Sequence, residues 1–448
     1  MPLADLRERT AALMPEVVEE LTALTRLPSI AFPGFPPEPV LAAAEATAAL
    51  FRGAGVADAR LLEVPGGYPA VYAEIPAPAG TPTVLLYAHY DIQPAPLEQG
   101  WTTDPFAPVV KEGRLYGRGA ADDKSGVMMH VAAMRLFGGR PPVGVRLLIE
   151  GEEETGNGLG PFVEANPELA RCDAFVIADG GNSVAGHPEL NVALRGVVTC
   201  TVTVRTLASM VHSGGYGGAA PDALMALATI LHRLLDEHGD VAVPGLTRFD
   251  WDGDDVPEEG FRAAAGVLPG VELIGTGSLA SRLWTRPSVT AIGIDAPPVA
   301  GASNSLIPEA RARISLRIAP GSDPAASQQA LMDHIRASAP WGVLVEVTPG
   351  ELGNAFKAPT GGPIEGAARA AMREVFGRAV VSTASGGSIP LLGTLRTLAP
   401  EAEFVVWGAQ EGQRSAAHGP NESQDLAELE RMILAEARFL ELLGERVG

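Results

Sequence analysis

The sequence predicts an α/β fold in two parts: a three-layer α/β domain on a largely parallel mixed sheet, with a ferredoxin-like α+β domain inserted into it. Three observations predict it. Strand-like apolar runs alternate with helical patterns in the first part of the chain, the rhythm turns β-rich near Leu190, and strand–helix alternation resumes after Asn354. At 448 residues the chain also exceeds one ordinary domain.

Taken in order, "EVVEELTALTRLPSI" and "PVLAAAEATAALFRGAG" read as amphipathic helices, the second stopped by Gly53 and Gly55. "AVYAEIP" and "TVLLYAHYD" read as strands, the latter apolar enough for the middle of a sheet. "GVMMHVAAMRLFGG" reads as a helix, "GVRLLIEGEEE" as a strand, "GPFVEANPELA" as a helix and "DAFVIADGG" as a strand. Then "LNVALRGVVTCTVTVRTL", the long helix "PDALMALATILHRLLDEHG", "SVTAIGID", "RARISLRIAP", the helix "ASQQALMDHIRASAP" and "GVLVEVTP" give the order βαββαβ, a split-βαβ sandwich. The expected boundaries are 1–190, 191–352 for the insertion, and 353–448 for the return of the first domain. The stretch 250–280 interrupts the pattern and fits no element.

Composition narrows the function. A net charge of −21, with lysine only at 111, 124 and 357, offers no basic cluster for nucleic acid. It suits a protein that binds cations. No apolar run is long enough to span a bilayer, and the N-terminus lacks the apolar core of a signal peptide. Two cysteines, Cys172 and Cys200, make no disulfide framework, so a cytoplasmic location is the expectation.

The chemistry is concentrated where strands give way to loops. His89 and Asp91 stand two apart at the end of "LLYAHYD", on one side of a strand, and a nearby carboxylate commonly orients a ligand imidazole. Taken alone, the pair reads more readily as a surface histidine at a strand end than as a metal ligand. "GRGAADDKSG" brings Asp122 and Asp123, "IEGEEETGN" brings Glu152, Glu153 and Glu154, "VIADGGN" brings Asp179, and "SAAHGPNES" brings His418. Any one of these acidic groups reads as a solvated turn. Together, at corresponding ends of one sheet, they would repel one another unless a cation held them. Two histidines with several carboxylates and no cysteine suit a catalytic Zn²⁺ or similar ion.

The series "AHYDIQPA", "GWTTDPFAPVVKEGRLYGRGAADDKSG", "EGEEETGN", "VIADGG", "VHSGGYGG" and "AAHGPNES" closely resembles the di-zinc family of dipeptidases, carboxypeptidases and aminoacylases, and within it the carnosinase-type branch. The resemblance implies two divalent ions per subunit, Zn with Mn or Co as alternatives, bridged by Asp122. His89 and Asp179 would complete one site, Glu154 and His418 the other, with Asp91 behind His89. Glu153 would be the general base, the Glu-Glu-x-Gly spacing placing Glu152 outside the site. A water between two cations becomes hydroxide near neutral pH, and a free carboxylate can take its proton and return it to the leaving amine.

The resemblance further implies that the insertion is a lid/dimerisation domain, and that His212 in "MVHSGGYGG" reaches a partner subunit's site in a homodimer to stabilise the oxyanion. Arg317, Asn304, Gly387 and Ser388 would grip the substrate's carboxylate; from pattern alone Arg317 reads as a solvent-facing strand arginine. Val211 before His212 departs from the Asp-Leu-His of the carnosinase branch, and Ser125 from the usual Lys-Gly. The expected substrates are small peptides, foremost dipeptides. N-acyl amino acid deacylation or carboxypeptidase action is the nearest alternative, and a non-catalytic peptide-binding protein the alternative of another class.

Overall fold

The computed structural model describes residues 2–445, apart from 157, 387, 388 and 413. The chain divides into two compact units, one of residues 1–192, 358–383 and 389–448, the other of residues 193–357 and 384–388.

The first unit is built on a six-stranded mixed sheet. Its order is Arg60–Leu62, Ala70–Ile75, Gly144–Glu150, Thr83–His89, Ala174–Ile177, Glu403–Val406. The last four run parallel; the first two pair antiparallel at one edge. Thr83–His89 lies between two parallel neighbours, which explains its uninterrupted apolar run: every residue from Val84 to Ala88 is fully buried. Helices Leu3–Thr25, Lys124–Leu136, Pro363–Phe376 and Leu426–Glu445 pack against one another. The N-terminal helix extends through Pro15 back to Leu3, because Leu6, Thr10, Val17, Leu21 and Leu24 continue one buried stripe past the missing N–H.

Two polar links fasten this helical layer, one to the sheet and one between two of its helices. His130 joins Glu436 (Nδ1–Oε1 2.8 Å) and the carbonyl of Tyr87 (3.0 Å), all fully buried. Lys124 donates from Nζ to the carbonyls of Leu24 and Leu27 at 2.9 and 2.8 Å, at the C-terminal end of the first helix. Burial pushes the Lys124 ammonium down to about 7. Among the described residues, no helix is long and apolar enough to cross a membrane.

The second unit has a four-stranded antiparallel sheet in the order Ser288–Asp295, Glu309–Ile318, Gly196–Arg205, Leu344–Gly353. Helices Ala223–His232 and Pro324–Ala337 cover it. Along Glu309–Ile318, residues 310, 312, 314, 316 and 318 are buried and the alternate set, including Arg311, Arg313 and Arg317, stands on the opposite face. The helix read from "PDALMALATILHRLLDEHG" stops at His232. Asp236 ends the pattern by accepting the backbone N–H groups of His238 and Asp240 at 2.9 and 3.0 Å, a local turn that competes with the helix. Within 250–280 lies a short helix, Glu258–Ala264, and Trp251 meets Trp284 edge-on at 5.0 Å.

Candidate metal centre

The four parallel strands point their C-terminal ends toward one region, the usual ligand end of such a sheet. His89 closes its strand and is fully buried. The strand stops there, so Asp91 lies just beyond it rather than on it. Its carboxylate still comes within 3.3 Å of His89 Nδ1, which also faces the Asp91 carbonyl at 3.1 Å. The same carboxylate accepts the backbone N–H of Glu153 (3.1 Å) and of Glu154 (3.0 Å). One buried side chain thus orients an imidazole and fixes the turn bearing two glutamates. Gly151, at the start of that turn, admits no side chain: a Cβ there would lie 2.1 Å from the Tyr90 hydroxyl.

Asp122 hangs in the turn before helix Lys124–Leu136. The fully buried Glu422 holds that turn, accepting from Ala121 N and Asp122 N, each at 3.0 Å, while Arg118 pairs with its other oxygen at 2.6 Å. Asp122 therefore stands with Oδ1 3.2 Å from His89 Nε2 and Oδ2 3.1 Å from His418 Nε2. His418 also lies 3.2 Å from Glu154 Oε2, and it occupies the left-handed backbone region at φ 62°. Glu153 Oε2 is 4.0 Å from His89 Nε2. Two sets bring ligand atoms within 4.8 Å of one another: His89 with Asp122 and Glu154, and His89 with Asp123 and Asp179.

The donor set fits divalent cations. Each oxygen of Asp122 faces an imidazole nitrogen, so one carboxylate has a nitrogen ligand on either side. Glu154 Oε1 and Asp123 Oδ1 are buried with no hydrogen-bond partner. Buried, unpartnered carboxylate oxygens beside two imidazoles are a donor set that a divalent cation would satisfy. Asp123 accepts His89 N at 3.1 Å through one carboxylate oxygen and keeps the other, Oδ1, buried and unpartnered in the cluster. Glu152, placed outside the site by spacing, accepts Tyr68 N at 3.0 Å.

Burial and mutual hydrogen bonds shift the titration of these groups in the absence of metal. Burial opposes charge on His89, but hydrogen bonds to Asp122 and Asp91 outweigh it and raise its pKa well above that of a free imidazole. Hydrogen bonds to Asp122 and Glu154 raise His418 to about 10. Burial, partly offset by His89, pushes Asp179 up to about 7; burial and then the Asp179 charge raise Glu153. Asp122 goes the other way: burial disfavours its charge, yet hydrogen bonds from His418 and His89 hold it below the usual carboxylate range.

His418, raised to about 10, carries a proton at pH 7 in the metal-free protein, and a ligand must shed its proton to bind a metal. Affinity should therefore rise with pH from about 7 to about 10 and weaken as pH falls. Calorimetric titration at pH 7, in two buffers of different ionisation enthalpy, should show about one or more protons released per ion. Zero release would contradict this charge balance.

The remaining expected site residues lie in the second unit or outside the described residues. His212 ends a two-residue strand paired with Ser305–Leu306, opposite Ser305, and Ser213 N donates to the Asn304 carbonyl at 2.9 Å. His212 and Asn304 are thus exposed neighbours. Arg317 sits on the sheet face away from the helices. Gly387 and Ser388 lie outside the described residues.

A sheet whose strand ends gather two histidines and several buried carboxylates defines a metal-dependent enzyme. Residues 85–442 match the model of peptidase family M20/M25/M40, and the chain belongs to that family. It is 41% identical over 374 residues to the cysteinylglycine-S-conjugate dipeptidase of Corynebacterium striatum, covering 81% of this chain and 82% of that one. Its fold matches the di-peptidase Dug1p from Saccharomyces cerevisiae (TM-score 0.83, 22% identity, 99% of each chain). Human carnosine dipeptidase 1 matches as closely (TM-score 0.83, 23% identity, 99% of each chain).

Proposed function

We propose that this peptidase is a two-metal dipeptidase that cleaves the amide bond of small peptides bearing a free C-terminal carboxylate. The observation that carries the reading is Asp122, with one carboxylate oxygen toward His89 and the other toward His418. Similarity to a cysteinylglycine-S-conjugate dipeptidase supports the substrate class.

His89, Asp122 and Asp179 would hold one ion; Asp122, Glu154 and His418 the other. Zn²⁺ suits these ligands, with Mn²⁺ or Co²⁺ as alternatives. Two such ions supply Lewis acidity, polarising the scissile carbonyl and lowering the pKa of water. Glu153 takes the proton from the attacking water and delivers it to the leaving amine nitrogen. Burial raises its pKa, which favours that two-way transfer. Asp91 keeps His89 in the tautomer that presents Nε2.

The unit of residues 193–357 and 384–388 serves as lid and dimerisation domain of a cytoplasmic homodimer. From it, His212 donates to the oxyanion in the partner subunit's site, and Arg317, Asn304 and the 387–388 segment bind the substrate's carboxylate. His212→Ala should then lower kcat by about 10²–10³-fold. Mixed dimers of His212→Ala with Glu153→Gln chains should recover part of the activity, because one site regains both groups. Absence of recovery in dimers verified by mass would contradict action in trans.

Metal-reconstituted protein screened against a panel of dipeptides and N-acyl amino acids tests the substrate reading. Dipeptides should be cleaved and their N-acyl counterparts left largely intact. Cleavage of the N-acyl compounds alone would replace this reading with a deacylase.

A further inference from the structure

Arg195 lies outside every motif that marks the metal centre. It directly precedes strand Gly196–Arg205, two residues before Val197 and therefore on the same side of the sheet as that residue. Val197 and Ser288 flank Arg317 as its partners on the two neighbouring strands. Arg195 Nη1 donates to Ser288 Oγ at 3.1 Å, so Ser288 is opposite one arginine and hydrogen-bonded to the other.

Neither guanidinium has an acidic partner among the described residues. Two of the other three arginines of this sheet do: Arg205 pairs with Glu309 and Glu346 (2.7 and 3.0 Å), and Arg311 with Asp295 (3.7 Å), while the exposed Arg313 has no such pair among the described residues. Arg195 Nε is buried and donates to nothing. Burial, and then the charge of Arg317, pushes the Arg195 guanidinium down to about 10. The neighbouring segment pairs with the Arg195 backbone, Arg195 N donating to the Ser385 carbonyl at 3.1 Å. A Cβ on Gly386 would lie 2.9 Å from Arg195 Nη2, so glycine leaves that nitrogen room. Two cations placed together with an orphaned buried donor lack an anion.

We propose that Arg195 and Arg317 form a paired-guanidinium subsite for the substrate's C-terminal carboxylate, with Arg195 setting the preference for a free C-terminus. The proposal rests on the dipeptidase reading. A carboxylate is the anion that every such substrate carries, and guanidinium forks match its planar geometry.

The test compares metal-loaded wild type, R195M, R195K and R317M on a cleaved dipeptide and on its C-terminal amide. For R195M, kcat/KM on the free acid should fall by about 30-fold, chiefly through KM, as expected on losing a charge-assisted hydrogen bond. The loss on the amide should be several-fold smaller, and R195K should recover part of the acid activity. Equal losses on acid and amide, or none on the acid, would overturn the proposal. If R195M does not fold, R195K carries the same acid-against-amide comparison.

A second arm is independent of turnover. Acetate should raise the unfolding midpoint of wild type but not of R195M or R317M; equal shifts in all three would refute the subsite. Stabilisation by inorganic phosphate and not by acetate would replace the carboxylate with a phosphate group. Failure of wild type to cleave any dipeptide would sink the functional reading, while the acetate arm would still decide the subsite.

Discussion

Glu153→Gln lowers kcat on a dipeptide by about 10²–10⁴-fold, the usual contribution of a general base, while two divalent ions stay bound to each chain. The separation of the two effects comes from geometry. Asp91 fixes Glu153 through its backbone N–H at 3.1 Å, so the side chain can change without moving the turn. Glu153 Oε2 lies 4.0 Å from His89 Nε2, beside the cluster, whereas Glu154 Oε2 contacts His418 at 3.2 Å and lies within it. Glutamine keeps the shape and cannot accept the proton. Single-turnover kinetics alongside metal analysis check this; a variant that keeps full kcat would remove Glu153 as the base.

Chelation abolishes turnover, and readdition of Zn²⁺, Mn²⁺ or Co²⁺ restores it. Chelated protein must hold Asp122, Asp123, Glu153, Glu154 and Asp179 together with no compensating ions, and the raised pKa values of His89, His418, Asp123, Glu153 and Asp179 favour protons in their place. That replacement loses the Lewis acid and the stability of binding. An ion held at a free concentration one hundred times its Kd contributes about 2.7 kcal/mol to folding, so the unfolding midpoint should drop measurably on chelation. Undiminished activity in thoroughly chelated protein would refute a metal-dependent reaction.

Local pattern carried the strand-end chemistry because each motif is short. The apolar run ending at His89, the acidic turn after Glu150 and the Asp179 turn each read directly from neighbouring residues, since a strand's end is a local property. What pattern could not carry was the support behind them. Glu422 fastens the Asp122 turn across some 300 residues of sequence, and His130 meets Glu436 across 306. No periodicity encodes such pairings.

Asp123 shows a second limit. The doublet Asp122–Asp123 offers two carboxylates, and only the three-dimensional turn shows that both reach His89, one by its imidazole and one by its backbone N–H. Arg195 shows a third: a lone arginine before a strand carries no signal until Ser288 and Arg317 are seen beside it. The helix beginning at Ala223 was overextended for the converse reason. Its apolar spacing continues past His232, while the turn that ends it depends on Asp236.

Anomalous diffraction from crystals of metal-loaded protein, with metal content measured on the same sample, tests the central claim most directly. Two ions per chain are expected, one on each side of Asp122: His89 and Asp179 ligating the first, Glu154 and His418 the second. A single ion, or ions bound away from Asp122, would contradict it.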